Sequence, residues 1–273
     1  MAVSDSKTSG PRVALIGFGE AGESFARAAA WTGRARGWDL LERRRAAMAD
    51  CGVQAGCDAA YALAGADAAL SLVTADQALA AARDYAALVA PGALWLDMNS
   101  VAPATKRTAA GAVNAAGARY VDVAVMAPVE QRLGVPLLVS GPDAEEGAAL
   151  LQSIGFTKVR VVGDAVGRAS AIKLCRSVMV KGLEALSAEC AAAAEAEGVL
   201  DEVMASLDAS EKPAPWMARI AYNRERMATH GTRRAAEMDE ACAMLESLGV
   251  EPVMSRGTVQ LQRAAASKEP ACL

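Results

Sequence analysis

The chain has 273 residues, 53% hydrophobic, 22% charged and 4% aromatic, enough apolar material for one large domain or two ordinary ones, which excludes wholesale disorder. Lys+Arg 28 against Asp+Glu 32 leaves a formal net charge of -4, without the basic surplus that nucleic-acid binding needs, so the expected partners are a small molecule or another protein. No uncharged run exceeds the 12 residues from Tyr85 to Leu96, short of the roughly 18 to 20 apolar residues that span a bilayer, and no membrane association is expected.

The first ten residues, MAVSDSKTSG, lack the apolar stretch of a secretory signal and are expected to be disordered. From Pro11 to about Gly163, short aliphatic runs alternate with Ala-rich helical stretches, the pattern of βαβ units around a parallel sheet. The predicted strands are Val13 to Ile16, Gly37 to Leu40, Ala69 to Val73, Leu94 to Asp97, Tyr120 to Val123, Leu137 to Ser140 and Val159 to Val162. Strand signals then vanish. The stretch from Gly167 to Gly198 holds no Pro and no internal Gly except Gly182, which predicts one long helix. Further helices are predicted over Asp201 to Leu207, Ala214 to Met227, Thr232 to Leu248 with Gly249 as its cap, and Ser255 to Ala266. The fold class is therefore α/β: a doubly wound parallel sheet over 11–165, a long connecting helix and an all-helical domain over 166–264. Residues 265–273 are expected to be flexible. Ala-rich helices in this number make a thin core, so a homodimer is expected. The six cysteines are scattered, and Cys51 and Cys57 lack a second ligand pair at metal spacing, so no metal is expected and a reduced, cytoplasmic setting fits.

The most informative stretch is Arg12-Val-Ala-Leu-Ile-Gly17-Phe-Gly19-Glu-Ala-Gly22-Glu-Ser-Phe-Ala26, a strand running into G-x-G-x-x-G and a helix. Gly17 allows a tight turn, Gly19 lets a pyrophosphate approach the backbone, and Gly22 lets the helix pack on the strand. Gly17, Phe18, Gly19, Glu20, Ala21 and Gly22 thus offer an anion site made of main chain at a positive helix end. Asp39, twenty-two residues after Gly17, is placed to accept from adenosine ribose hydroxyls and to repel a 2′-phosphate, favouring NAD over NADP. Arg43, Arg44 and Arg45 follow it and fit either a 2′-phosphate site or a solvated first helical turn. The unit is a Rossmann-type dinucleotide domain on this reading.

Two loops fall at the carboxyl edge of the sheet, where ligands of doubly wound sheets bind: Val73-Thr74-Ala75-Asp76 and Asp97-Met98-Asn99-Ser100-Val101-Ala102-Pro103. Asn99 and Ser100 suit a carboxylate or hydroxyl and equally suit helix capping. Lys173 lies near the start of the long helix with Ser177 one turn on; a lysine in an apolar cleft can exchange a proton near neutral pH, while most helical lysines are simply solvated. His230, the single histidine, reads as part of a Thr-His-Gly turn before a helix, with Arg233 and Arg234 beyond it.

These segments, together with Asp122-Val-Ala-Val-Met126-Ala-Pro128 and the run from Gly167 to Ser177, resemble the β-hydroxyacid dehydrogenase superfamily, which includes 6-phosphogluconate and 3-hydroxyisobutyrate dehydrogenases. Arg176-Ser177-x-x-x-Lys181-Gly182 and His230-Gly-Thr-Arg233-Arg234-Ala-Ala-Glu237-Met238 resemble, more narrowly, a bacterial branch with a phosphogluconate-dehydrogenase-like C-terminal domain of poorly defined function. The resemblance implies an NAD(P)-dependent dehydrogenase of a β-hydroxy acid or small polar alcohol. Lys173 would be its general acid/base, with Val73, Thr74 and Asn99 beside the nicotinamide. Ser100 and Met126 would fall at substrate-binding positions, with Ser177 where the family has an Asn; His230 with Arg233 or Arg234 reads either as a binder of a substrate oxygen or acid or as an exposed turn. The chain departs from the family in three places: Met126-Ala127-Pro128 replaces a Ser-Gly-Gly turn, Ser177 replaces an Asn, and Ala236-Glu237 stands near a usual Lys-Asp pair. Imine reductases resemble this architecture but lack the lysine, so Lys173 argues for alcohol and ketone chemistry. An imine or 3-oxo acid reductase, an oxidative decarboxylase and a dinucleotide sensor without turnover are the alternatives.

Overall fold

The computed structural model describes residues 10–29, 31–210 and 214–267. Apart from Gly10, the start expected to be disordered lies outside the described residues, as does 268–273 of the expected flexible end. The chain forms two compact units, one ending at Arg176 and the other starting at Ser177.

The first unit runs β1 (Val13–Ile16), α1 (Glu20–Ala28), β2 (Ala35–Trp38), α2 (Glu42–Met48), β3 (Gln54–Ala55), α3 (Ala59–Leu63), β4 (Ala68–Ser71), α4 (Ala78–Tyr85), β5 (Leu94–Asp97), α5 (Pro103–Ala115), β6 (Arg119–Val125), β7 (Leu137–Ser140), α6 (Ala144–Ser153) and β8 (Val159–Val161). The strands form one sheet in the order β3-β2-β1-β4-β5-β6-β7-β8. Every position of β1, β4, β5 and β7 is buried, and these strands read as apolar runs broken only by the terminal Ser71, Asp97 and Ser140. Alternate residues serve the two faces: Val13 and Leu15 join Phe25 and Leu96 in one core cluster, while Ala14 and Ile16 join Trp95 and Val113 in the other. The order reverses between β1 and β4, opening a crevice at their carboxyl ends.

Three features differ from the expected parallel sheet. β2 starts two residues earlier than predicted, because Ala35 and Arg36 pair with Val13 and Ala14 while Leu40 has left the sheet and is exposed. β3 is a short, exposed edge strand without an apolar signal. β7 runs antiparallel to β6, with β8 parallel to β7. The segment between β6 and β7 holds no crossover α-helix, and a direct return of this kind gives an antiparallel pair.

α7 (Arg168–Glu197) begins in the first unit and continues into the second, which also holds α8 (Leu200–Ser210), α9 (Trp216–Ser247) and α10 (Val253–Ala266). α9 is one helix where two were predicted. The expected turn at His230 is absent because Gly231 serves packing: a Cβ there would overlap the Gln262 carbonyl of α10, so the glycine permits close helix approach. Ala235, Cys242 and Val259 are buried between the same two helices. Glu189 of α7 accepts from the N–H groups of Met254 and Ser255 at 2.7 and 2.9 Å and from the Ser255 hydroxyl at 2.6 Å, satisfying the start of α10. No helix among the described residues is long and apolar enough to cross a membrane.

Candidate active site

β1 leads into a turn that only glycine makes at its first position. Gly17 has φ +91°, and an added Cβ would stand 2.6 Å from the Leu72 carbonyl oxygen and 2.9 Å from the Val73 nitrogen. At Gly22 a Cβ would come 3.0 Å from the Gly17 carbonyl oxygen. Gly19 differs: a Cβ there would meet nothing within 4 Å, because the residue faces open space. Gly19 also caps α1 without a side-chain hydrogen bond, so the helix presents its first N–H groups and positive end.

That turn forms part of the wall of a cavity of about 560 Å³, which Gly17, Gly19, Glu20, Ala21, Asp39, Val73 and Thr74 share with Trp38, Leu41, Arg43 and Arg44. Phe18, expected in the anion site, does not line the cavity: its ring is fully buried in the core and its N–H is taken up by Asp39. Asp39 ties the site together, accepting from the Phe18 N–H at 2.7 Å and the Leu41 N–H at 2.8 Å. Each carboxylate oxygen keeps a further lone pair for a ribose hydroxyl. Of the three arginines, Arg45 lies 4.8 Å over the Trp38 ring and donates to the Asp39 carbonyl at 2.7 Å, and Arg44 stands 3.5 Å from Glu23. Arg43 lines the cavity with no acidic partner among the described residues.

At the carboxyl end of β5, Nδ2 of Asn99 donates to the Ser71 hydroxyl at 2.9 Å and to the Asp97 carboxylate at 2.7 Å, which fixes the amide. Its Oδ1 is buried and has no partner. The next residue, Ser100, accepts a 2.5 Å hydrogen bond from Nζ of Lys173. Lys173 is half-buried, one turn into α7. The sheet edge and the helix start that carry these two side chains are thus joined through the pair.

Beneath them lies a buried polar network. Nζ of Lys106, on α5 and fully buried, is 2.9 Å from Oδ1 of Asp97 and 3.4 Å from Oδ1 of Asp122, and donates to the Asp97 carbonyl at 2.6 Å. The Tyr120 hydroxyl donates to Oδ2 of Asp97 at 2.6 Å; burial first, and then the Asp97 charge, push its pKa far above the usual tyrosine range, so it remains a donor. Asp122 accepts from the N–H groups of Gly167 and Ser170, each at 3.1 Å, and from the hydroxyls of Ser140 at 3.0 Å and Ser170 at 2.7 Å. The start of α7 is therefore capped by a carboxylate on β6.

Met126 is placed elsewhere. It packs with Ala124, Leu138 and Ala169 and lines another cavity of about 430 Å³ with Leu138, Lys158 and Ile172. Ser177 is half-buried on α7, four residues beyond Lys173 and on the same face. His230 and Arg233 are exposed on α9 in the second unit, three residues apart; Arg233 is helical as predicted, whereas His230 is helical and not in the predicted turn. Nothing in the sequence marks Lys106, Tyr120, Ser140 or Ser170 as site residues, and Asp97 and Asp122 stand out only as members of motifs. Local spacing carries no signal that a lysine three residues past Pro103 is enclosed. Among the described residues, no group of three or more His, Cys, Asp or Glu is placed to hold a metal ion.

With this geometry in place, residues 12–163 match the family described as the NAD binding domain of 6-phosphogluconate dehydrogenase. The chain belongs to that family. Residues 194–265 match a domain of unknown function (DUF1932), which makes this member of the β-hydroxyacid dehydrogenase superfamily one with an unassigned C-terminal domain. A conserved hypothetical protein from Sinorhizobium meliloti 1021 is 35% identical, with a TM-score of 0.62 over 97% of this chain and 92% of that one. A conserved protein of unknown function, described as structurally similar to 3-hydroxyacid dehydrogenases, is 28% identical with a TM-score of 0.62 over 93% of this chain and 96% of that one. An imine reductase from Myxococcus stipitatus, in complex with NADP+, shares the fold at 20% identity and a TM-score of 0.70 over 93% and 94% of the two chains. An uncharacterized 28.5 kDa protein of Methanothermus fervidus is 26% identical over 168 residues, a match spanning 63% of that relative's length. The first unit of this family member fits a dinucleotide on its own terms. Gly19 leaves the space a pyrophosphate needs, and the orphaned Oδ1 of Asn99 is an acceptor suited to a carboxamide N–H.

Proposed function

We propose that the chain is an NAD(P)-dependent oxidoreductase of a β-hydroxy acid or related small polar alcohol, with Lys173 as its general acid/base and NAD preferred over NADP. The observation that carries this reading is Nζ of Lys173 held 2.5 Å from the Ser100 hydroxyl at the carboxyl edge of a dinucleotide-binding sheet. When bound, the dinucleotide supplies the two-electron partner, accepting a hydride in oxidation and giving one in reduction. The residues of the chain bind, orient and move the proton. Main-chain N–H groups of Gly19, Glu20 and Ala21 face the pyrophosphate, Asp39 the ribose, Val73 and Thr74 the nicotinamide half, and Oδ1 of Asn99 the carboxamide. Neutral Lys173 takes the substrate hydroxyl proton onto Nζ in oxidation, and as ammonium returns it to the carbonyl oxygen in reduction. Ser100 orients that amine. Ser177, on the face of α7 that carries Lys173, is the candidate for the substrate's remaining groups.

Fluorescence titration with NADH and NADPH, followed by a panel of 3-hydroxy acids, 3-oxo acids and cyclic imines read at the nicotinamide absorbance, tests this. Turnover of a 3-hydroxy acid supports it. Turnover of imines alone, binding without turnover of any class, or no dinucleotide binding each overturns it.

The same reading includes a homodimer in a reducing cytoplasm. Val178 is 77% exposed, Met217 82% and Leu261 64%, which is apolar surface a second copy would cover, and Cys51, Cys57, Cys175, Cys190 and Cys242 are free. Sedimentation velocity showing only monomer at micromolar concentration contradicts the dimer.

A further inference from the structure

Lys106 has no part in the chemistry above, yet it is fully buried with Nζ between the carboxylates of Asp97 and Asp122. An enclosed ammonium is stable only when oxygen atoms replace its water, and those of Lys106 come from Asp97 and Asp122. These two acids are register partners on β5 and β6, and like charges directly opposite one another repel. Each also holds one half of the proposed site. Oδ1 of Asp97 accepts the main-chain N–H of Asn99 at 2.9 Å and its Nδ2 at 2.7 Å, fixing the loop that presents Ser100. Asp122 accepts two N–H groups and one hydroxyl from Gly167 and Ser170, fixing the turn of α7 that presents Lys173. A buried ion pair adds little stability over well-packed apolar side chains, so its distinctive contribution here is direction. Apolar residues could join the two strands, but they could not orient the loop and the helix.

We propose that Lys106 is a positioning residue: by bridging Asp97 and Asp122 it fixes the Ser100 loop against the start of α7 and so keeps the Lys173 amine on the Ser100 hydroxyl. The inference rests on the site proposed above, and its test needs no substrate. The full-length protein is labelled with trace acetic anhydride, and acetylation of Lys173 relative to exposed Lys158 is read by peptide mass spectrometry. It is compared in wild type, Lys106→Met and Ser170→Ala, with NADH titration and thermal melting as controls. Both variants are expected to raise the Lys173 to Lys158 ratio at least threefold, and in Ser170→Ala, which leaves the bonds between Asp97 and Asn99 in place, NADH affinity should stay within twofold. If Lys106→Met does not fold, Ser170→Ala decides, since it removes only the 2.7 Å hydroxyl bond to Asp122. A lowered melting temperature with an unchanged labelling ratio would reduce the network to a structural role and overturn the proposal. Retained turnover in Lys173→Ala would instead sink the assigned chemistry, so the two failures are distinguishable.

Discussion

Two alanine substitutions in the glycine-rich turn should fail in opposite ways. Gly19 has φ -78° and ψ -158°, a conformation open to any residue, and its added Cβ meets nothing within 4 Å. Gly19→Ala should therefore shift folding stability by no more than about 0.5 kcal/mol. Its methyl would occupy the space in front of the α1 N–H groups, where the pyrophosphate is proposed to lie. Losing one charge-assisted hydrogen bond of about 1.5 to 3 kcal/mol there raises the NADH Kd about ten- to hundredfold. Gly17→Ala meets φ +91° and a backbone carbonyl at 2.6 Å that cannot swing aside. The positive φ alone costs about 1 to 3 kcal/mol, so this variant should unfold early in urea. Urea denaturation and NADH fluorescence titration on both variants separate the two effects. Wild-type NADH affinity in a folded Gly19→Ala protein would refute the cradle.

Three further outcomes are expected. Tyr120→Phe leaves Oδ2 of Asp97 without its 2.6 Å donor, and an unsatisfied buried acceptor costs about 1 to 3 kcal/mol; an unchanged urea midpoint would contradict this. At Glu189, burial opposes the charge, but the Ser255 hydroxyl and the N–H groups of Met254, Ser255 and Val253 outweigh it and hold the carboxyl below its usual value. A depressed folded value gives stability that is full above the unfolded pKa of about 4.3 and is lost as pH falls through the folded pKa, so acid unfolding in this region should weaken in Glu189→Gln, as followed by circular dichroism between pH 6 and 2. Wild type should bind NADH more tightly than NADPH, and Asp39→Ser should narrow that difference; tighter NADPH binding by wild type would mean that Arg43 and Arg44 override Asp39.

Much of the first unit was legible because burial on both faces leaves an unmistakable imprint. β1, β5 and β7 have the bounds their apolar runs predict, and the roles of Gly17 and Gly22 follow from spacing that the backbone geometry repeats. Legibility ended where long-range contacts decide. Leu40, the last residue of the predicted second strand, and Leu41 after it leave the sheet for the cavity mouth. Gly231 reads locally as a break, whereas its contact with α10 thirty-one residues on makes it a packing position. Lys106 looks like any helical lysine until β5 and β6 bring two carboxylates to it.

The central claim is that the amine of Lys173 handles the proton of a redox reaction. Its most direct test is turnover of the best 3-hydroxy acid by Lys173→Ala, measured beside its NADH affinity. General acid–base help is worth about 10²- to 10⁴-fold, so turnover should fall by at least that lower figure while the NADH Kd stays within about threefold. Turnover within tenfold of wild type would contradict the account.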